Sequence, residues 1–450
     1  MHFWLFCLSV LSIIGCLGFL KRRQYLLMTL CLLIAIVPTV ASGRKIHKLQ
    51  LRKELKKNSH ITLNGESGYC DVSEWIRIRT QLKSSLHYKK ERQEHLRLAD
   101  IDLDKPPLGE AFEKLLADPP EWMIDQVQKE FSSFKRSKSN HLTFQTMLED
   151  LQQVENWQEE FLLAKYKIQD GRLYVKDYSN NHNTLKYMNG ALVRLLRSVA
   201  LPDMEFLLSL HDTLDLYHTP LPIFVHCKFN GNPYMIVIPD HESLIGFDYL
   251  NRMIDEASEN ISWEEKEDTA FWRGSTTSGN YSLPNWREYP RSKLVFLGLD
   301  HPELIDAKFT NLVLGAQDNQ ELKATPGIFA DFIYPEDHLK YRYLIDVDGN
   351  VSTYSRLYWI LRSNSTAIKH NSPYVMWFYP ILKPFLHYIP VEYDLKNMPE
   401  QIQWARSHPE ISKLIAEYST RLIKEEVTID HAYLYLYLVL QEYANLFHGD

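Results

Sequence analysis

Apolar residues along this chain keep two periods, and the two alternate. A helical repeat runs through "EWMIDQVQKEFSSF" (121–134) and through "LTFQTMLEDLQQVENWQEEFLL", which begins at Leu142. "YKIQDGRLYV" predicts a hairpin turning on Asp170-Gly171. "MNGALVRLLRSVA" predicts a helix, and Leu201-Pro202-Asp203 separates it from a short apolar strand in "MEFLLSLHD". "LPIFVHCKF" and "YMIVIP" predict two more buried strands, the second closed by Pro239-Asp240. Next come a helix in "FDYLNRMIDEAS", a strand running into a loop in "TAFWRGS" and a strand closing on a turn in "RYLIDVDGN". "RLYWILRS" is helical in pattern, "STAIKH" a strand, and "MPEQIQWARSH" and "PEISKLIAEYSTRLIKEE" are helices. Short apolar strands alternating with helices predict an α/β fold of parallel sheets covered on both faces. The units are too many for one six-stranded sheet. With 450 residues, two Rossmann-like domains facing a cleft fit the length.

The pattern is different before Glu121. His2 to Leu20 and Tyr25 to Ala41 are almost wholly apolar, interrupted by Lys21-Arg22-Arg23. Each run approaches the ~20 residues that a membrane helix needs. The expectation is a membrane anchor over 1–43, a two-helix hairpin rather than a cleavable signal. Arg44, Lys45, Lys48, Arg52, Lys53, Lys56 and Lys57 follow it, so the positive-inside bias favours a cytoplasmic body. Residues 44–150 read as a charged helical lead-in. The expected domains are then 151–238, 239–424 and a C-terminal helix over 425–450 returning to the first domain.

Composition narrows the function. The 45% hydrophobic content is globular, and a net charge of −7 gives no basic field for nucleic acid. Beyond the apolar N-terminus only Cys70 and Cys227 remain, which excludes a disulfide framework and any cysteine zinc site.

In doubly wound folds ligands bind beyond the carboxyl ends of strands, so polar residues just after apolar runs are the candidates. They are Asp212, Arg273-Gly274-Ser275, Asp346-Val347-Asp348-Gly349-Asn350 and Ser355-Arg356. "WRGSTTSGN" is neither a P-loop nor GxGxxG, yet glycine, hydroxyls and a guanidinium can cradle phosphate. An ordinary turn with a surface arginine has the same composition. "VSTYSRLYW" is either an N-cap or an anion site at a helix N-terminus. "DVDGN" fails the calcium-loop pattern, which leaves a turn.

In order along the chain, "LPDMEFLLSLHD", "TAFWRGSTTSG", "HPELIDAKFT", "HLKYRYLIDVDGNVSTYSRLYW" and "FYPILKPFLHYIPVEYDL" resemble glycosyltransferase family 90 from about Glu121 onward. The resemblance implies a GT-B-like fold and an inverting transferase that uses a UDP-sugar of glucose or xylose type. No cofactor or metal is required. It implies Asp212 as catalytic base, with Arg273, Gly274, Ser275, Val351, Ser352, Thr353, Tyr354, Ser355 and Arg356 holding the donor. "KDYSNNHNTLKY" lacks the cysteines by which animal members shape a protein acceptor site, and Ile238 stands where they have an aromatic donor contact. The acceptor is therefore expected to be the hydroxyl of an envelope glycan, a lipopolysaccharide, another lipid-linked glycan or a protein. The competing readings are a lumenal protein O-glycosyltransferase and a membrane module that binds nucleotide or glycan without turnover.

Overall fold

The computed structural model describes residues 105–136, 162–177, 182–212 and 222–447, with shorter stretches between 50 and 76 and between 144 and 151. The anchor expected over 1–43 and most of the "LTFQTM…" helix lie outside the described residues. Among the described residues no helix is long and apolar enough to cross a membrane.

The chain forms two compact units, Met1–Cys70 with Glu74–Leu98, and Asp71–Ser73 with Ala99–Asp450. In the first, β1 (Ile61–Leu63) and β2 (Glu66–Asp71) are antiparallel, with Leu63 opposite Glu66. The charged helical lead-in expected over 44–150 thus contains a strand pair. Its signal is the Asn64-Gly65 pair between the strands, the dipeptide that two-residue hairpin loops prefer.

The second unit opens with α1 (Glu110–Ala117) and α2 (Glu121–Arg136), followed by β3 (Leu163–Gln169), β4 (Arg172–Asp177) and α3 (His182–Ser198). Then come β5 (Met204–Ser209), β6 (Ile223–Val225), β7 (Lys228–Phe229) and β8 (Met235–Val237). Within this unit the strands lie in the order β4-β3-β5-β6-β8. The sheet is mixed rather than parallel: β3 runs against β4 and β5, while β5, β6 and β8 are parallel. The tight turn dictates this, because Asp170 (φ 52°) and Gly171 (φ 69°) both take the positive φ of a two-residue hairpin loop. Such a loop can join only antiparallel strands.

The remaining elements are α4 (His241–Ile245), α5 (Asp248–Glu259), β9 (Glu267–Ser275), α6 (Pro290–Asp300), β10 (Ile305–Asn311), α7 (Gln320–Ala324), α8 (Pro335–His338) and β11 (Tyr341–Asp346). After them come α9 (Ser355–Arg362), β12 (Thr366–His370), β13 (Tyr374–Val375), β14 (Ile389–Val391), α10 (Met398–Ser407), α11 (Pro409–Glu426) and α12 (Ile429–Phe447). Here the sheet is wholly parallel, ordered β10-β9-β11-β12-β14. Its two faces bury different sets. Ala270, Trp272, Ala307, Phe309, Tyr343 and Ile345 join Leu294 and Val295 of α6 in one core. On the opposite face Phe271 stacks on Tyr341 with centroids 3.9 Å apart, and His338 meets it edge-on.

Helix α12 closes the chain against the mixed sheet. Tyr443 packs on Phe224 at 4.9 Å, and Tyr435 forms a ring cluster with Trp122 and Trp377. What matters for function is the strand order. The chain turns from one side of the sheet to the other between β9 and β11, and at such a switch point the two loops diverge and leave a crevice.

Candidate functional site

At that switch point a cavity of about 610 Å³ is lined by Arg273, Gly274 and Ser275 of β9, by Arg291, by His338 and by Thr353, Ser355, Arg356 and Trp359 after β11. Strand β9 runs on to Ser275, so the Arg-Gly-Ser triplet forms the end of the strand rather than the following loop. Gly274 is required by its neighbour: a Cβ there would lie 2.4 Å from the Trp272 ring. The indole therefore fills the space where a side chain would otherwise narrow the crevice.

Three guanidinium groups converge on this edge. Arg291, set by Pro290 at the start of α6, donates from Nε to the Asp348 carbonyl at 2.9 Å and from Nη1 to the Ser275 carbonyl at 3.0 Å. Arg356 donates from Nη2 to the Arg273 carbonyl at 2.8 Å. Arg273 is paired with Asp306 of β10, Nη2 to Oδ2 at 2.7 Å and Nη1 to Oδ1 at 2.9 Å. Arg291 is buried and Arg356 partly so, and among the described residues neither has a carboxylate in ion-pair contact. Burial, and then the charge of Arg356, pushes the Arg291 pKa down to about 10. Arg356 is also lowered by burial, against an opposing pull from Asp346. Like charges gathered out of water with no carboxylate in direct contact are costly even with Asp346 and Asp348 near by, and an anion entering the cavity offsets that cost.

The loop from β11 to α9 shapes the opposite wall. Val351 and Ser352 are buried behind the lining, and the Val351 carbonyl accepts from Gly349 N–H. The Thr353 hydroxyl donates to Asp346, and the Ser372 hydroxyl to Asp348. Both aspartates are buried, so they fix the loop from beneath rather than standing in a solvated turn. Burial raises the Asp346 pKa, with Lys369 and the Thr353 hydroxyl opposing. Tyr354 stands at the N-cap of α9 with φ 49° and no side-chain capping bond. A tyrosine at positive φ is strained, and the strain turns the chain so that Ser355 and Arg356 of the first turn reach the cavity. The N-terminus of α9 adds a partial positive charge there.

Asp212 comes from the other sheet. It is exposed in the bend after β5, two residues beyond the Leu210 that follows the strand. Its charge is one of those raising the Tyr354 phenol, after burial and Cys227, which puts it within electrostatic reach of the α9 N-cap.

Arg291 and His338 were not among the sequence candidates. His338 is buried edge-on against Phe271 and Trp359, and burial, then Arg356, pushes its pKa down to about 3. It is therefore a neutral imidazole at physiological pH. Both residues sit on helices, and the sequence reading weighed a helix N-terminus only at Ser355-Arg356, not at the starts of α6 and α8. Extending that rule to the first turn of the helix after each strand would have found Arg291.

A parallel sheet with a cationic cavity at its switch point defines the class, an α/β protein with a second, mixed sheet that carries Asp212. The sequence profile "Glycosyl transferase family 90" matches residues 138–450, and the chain belongs to this family of glycosyltransferases. It is 29% identical over 328 residues to protein O-glucosyltransferase 2 of Danio rerio, covering 70% of this chain and 62% of that one. It is 28% identical over 432 residues to protein O-glucosyltransferase 3 of Homo sapiens, covering 91% of this chain and 78% of that one. With protein O-glucosyltransferase 1 of Homo sapiens the identity is 27% over 263 residues, 54% of this chain and 63% of the relative. The chain thus spans less than two thirds of the first and third of these relatives.

Proposed function

We propose that this chain is an inverting transferase that moves a glucose- or xylose-type sugar from a UDP-sugar to a protein hydroxyl. The observation that carries the reading is the pair of guanidinium groups, Arg291 and Arg356, lining one cavity with no carboxylate in ion-pair contact among the described residues. A diphosphate supplies the missing charge. The other wall of the cavity, with Phe332, Ile333, Pro335 and Trp359 around neutral His338, suits a nucleoside. In this reading the two sheets are the halves of a GT-B arrangement, 151–238 carrying the base and 239–424 the donor.

The reaction is a single displacement. The acceptor oxygen attacks the anomeric carbon and gives its proton to Asp212, while the bond from that carbon to the diphosphate breaks. Charge developing on the leaving UDP is met by Arg356, Arg291, Arg273 and the α9 N-terminus. Three guanidinium groups stand where other transferases use a cation, so no metal is required. Asp346 and Asp348 are buried and each already accepts from a hydroxyl, Asp346 from Thr353 of its own loop and Asp348 from Ser372 after β12.

The names of the relatives favour a protein acceptor over an envelope glycan or lipopolysaccharide, which suits the lumenal alternative for a body behind the anchor expected over residues 1–43. The seven basic residues after that anchor favour the cytoplasmic side instead. Release of UDP, measured with UDP-glucose and UDP-xylose in EDTA and with folded protein acceptors, tests the activity. No release from any UDP-sugar would leave only the binding-module reading. A C-terminal topology reporter decides between the two sides.

A further inference from the structure

We propose that Asp306 is the positioning residue of the donor site, holding the Arg273 guanidinium in place beside Arg356. This rests on the diphosphate reading above and deepens it. Asp306 lies on β10 opposite Phe271, one strand over and two positions back from Arg273. Its two carboxylate oxygens take the end-on fork of Arg273, Nη1 and Nη2. Nη1 is held further by the carbonyls of Trp272 at 2.9 Å and Asp306 at 3.0 Å. Four bonds from two strands therefore fix one guanidinium, and the plane is set also by the Phe271 ring 4.2 Å beneath it. With that fork occupied, the edge formed by Nε and the outer Nη2 hydrogen is what Arg273 has left to offer. Nε is buried without a hydrogen-bond partner. An orphaned donor of that kind on a cation at the cavity wall indicates a group held ready for a ligand oxygen.

The need for such an anchor follows from the charges around it. Arg356 donates to the backbone carbonyl of Arg273 itself, and the charge of Arg356 adds to burial in lowering the Arg291 pKa. A third guanidinium in that company is driven outward unless a carboxylate restrains it. Asp306 stands on the side of Arg273 away from β11, where it restrains Arg273 without pairing with Arg356 or Arg291. The alternative role, a carboxylate that competes with the diphosphate for Arg273, has the opposite experimental sign.

Asp306→Ala, Asp306→Asn, Arg273→Lys and the Asp306→Ala/Arg273→Lys double variant are compared by calorimetric UDP titration, by kcat and KM for UDP release, and by melting temperature. Positioning predicts UDP binding weakened roughly tenfold in Asp306→Ala, the size of one lost charge-assisted contact, with kcat reduced further. Asp306→Asn, which keeps one acceptor oxygen in place, falls between it and the parent. The double variant is no worse than Arg273→Lys alone, because both changes remove the same contact. Equal or tighter UDP binding by Asp306→Ala overturns the proposal, since removing a negative charge beside a diphosphate does that when charge alone matters. Additive losses in the double variant overturn it too. If Asp306→Ala fails to fold, Asp306→Asn is judged by the same signs. Arg356→Lys runs in parallel. Weakened UDP binding there, with Asp306 variants unaffected, overturns only this proposal, whereas no UDP binding by the parent protein overturns the donor site and this proposal together.

Discussion

Arg356 and Arg291 differ from Arg273 in one respect that decides what a substitution does. Arg273 has a carboxylate in contact, that of Asp306. Arg356 and Arg291 bond only to backbone carbonyls among the described residues. Lysine keeps the charge but cannot bond a carbonyl and a phosphate oxygen from one rigid plane. Arg356→Lys and Arg291→Lys are expected to weaken UDP binding by ~10–100-fold, and Arg273→Lys by no more than about tenfold. Calorimetry beside melting curves checks this, and unchanged affinity in all three would move the phosphate site elsewhere. His338 gives a second expectation. Its folded pKa lies below the ~6.5 of a free histidine, so the unfolded chain binds the proton more readily. The stability it contributes is complete above about pH 6.5 and is lost as the pH falls toward 3, roughly 2 kcal/mol of it by pH 5. The loss of melting temperature between pH 7 and pH 5 should be smaller in His338→Asn than in the parent, and an equal loss would refute the assignment.

At the scale of elements, legibility followed the strength of the period. Helix α11 starts at Pro409 and ends at Glu426, the limits of its apolar repeat, because Pro at N1 and a long 3.6-residue pattern leave little freedom. The Asp170-Gly171 turn was equally plain. Strand β9 was legible only as far as Trp272. Its last three residues look like loop in composition, and it is the neighbouring β10, paired through Asn311, that keeps them extended. No local pattern reports a partner strand so distant in sequence. The cavity residues followed the same divide: those at strand ends were readable from position, and the family resemblance chose them over ordinary turns. Arg291 and His338 gain their role only through packing. Gly274 tests how the element serves the site. Gly274→Ala drives a Cβ into the Trp272 ring, and overpacking of this kind costs ~1–3 kcal/mol. A lower melting temperature and weaker UDP binding are expected together, since the indole backs the strand whose end lines the cavity. Unchanged values for both would show that the ring moves aside freely.

Across the whole molecule the chemistry is divided between two sheets, and that division makes the sharpest prediction. Every arginine of the cavity and the helix N-terminus belong to the parallel sheet or its helices, while Asp212 follows β5 of the mixed sheet. Donor binding and proton removal are thereby separable by mutation. Asp212→Asn keeps the shape of the side chain and removes the base. Asp212 is exposed and follows the strand rather than packing within it, so the change should leave the melting temperature unaltered. UDP affinity should hold or rise slightly, because a negative charge near the α9 N-cap disappears. Transfer should fall by ~10²–10⁴-fold, the usual contribution of a general base. The loss should lie in kcat with KM for the donor little changed, since the proton moves only in the transition state. Measuring UDP binding and transfer on the same preparation separates this from a folding defect. Transfer at the parental rate in Asp212→Asn would remove the base from the mechanism while leaving the donor cavity standing.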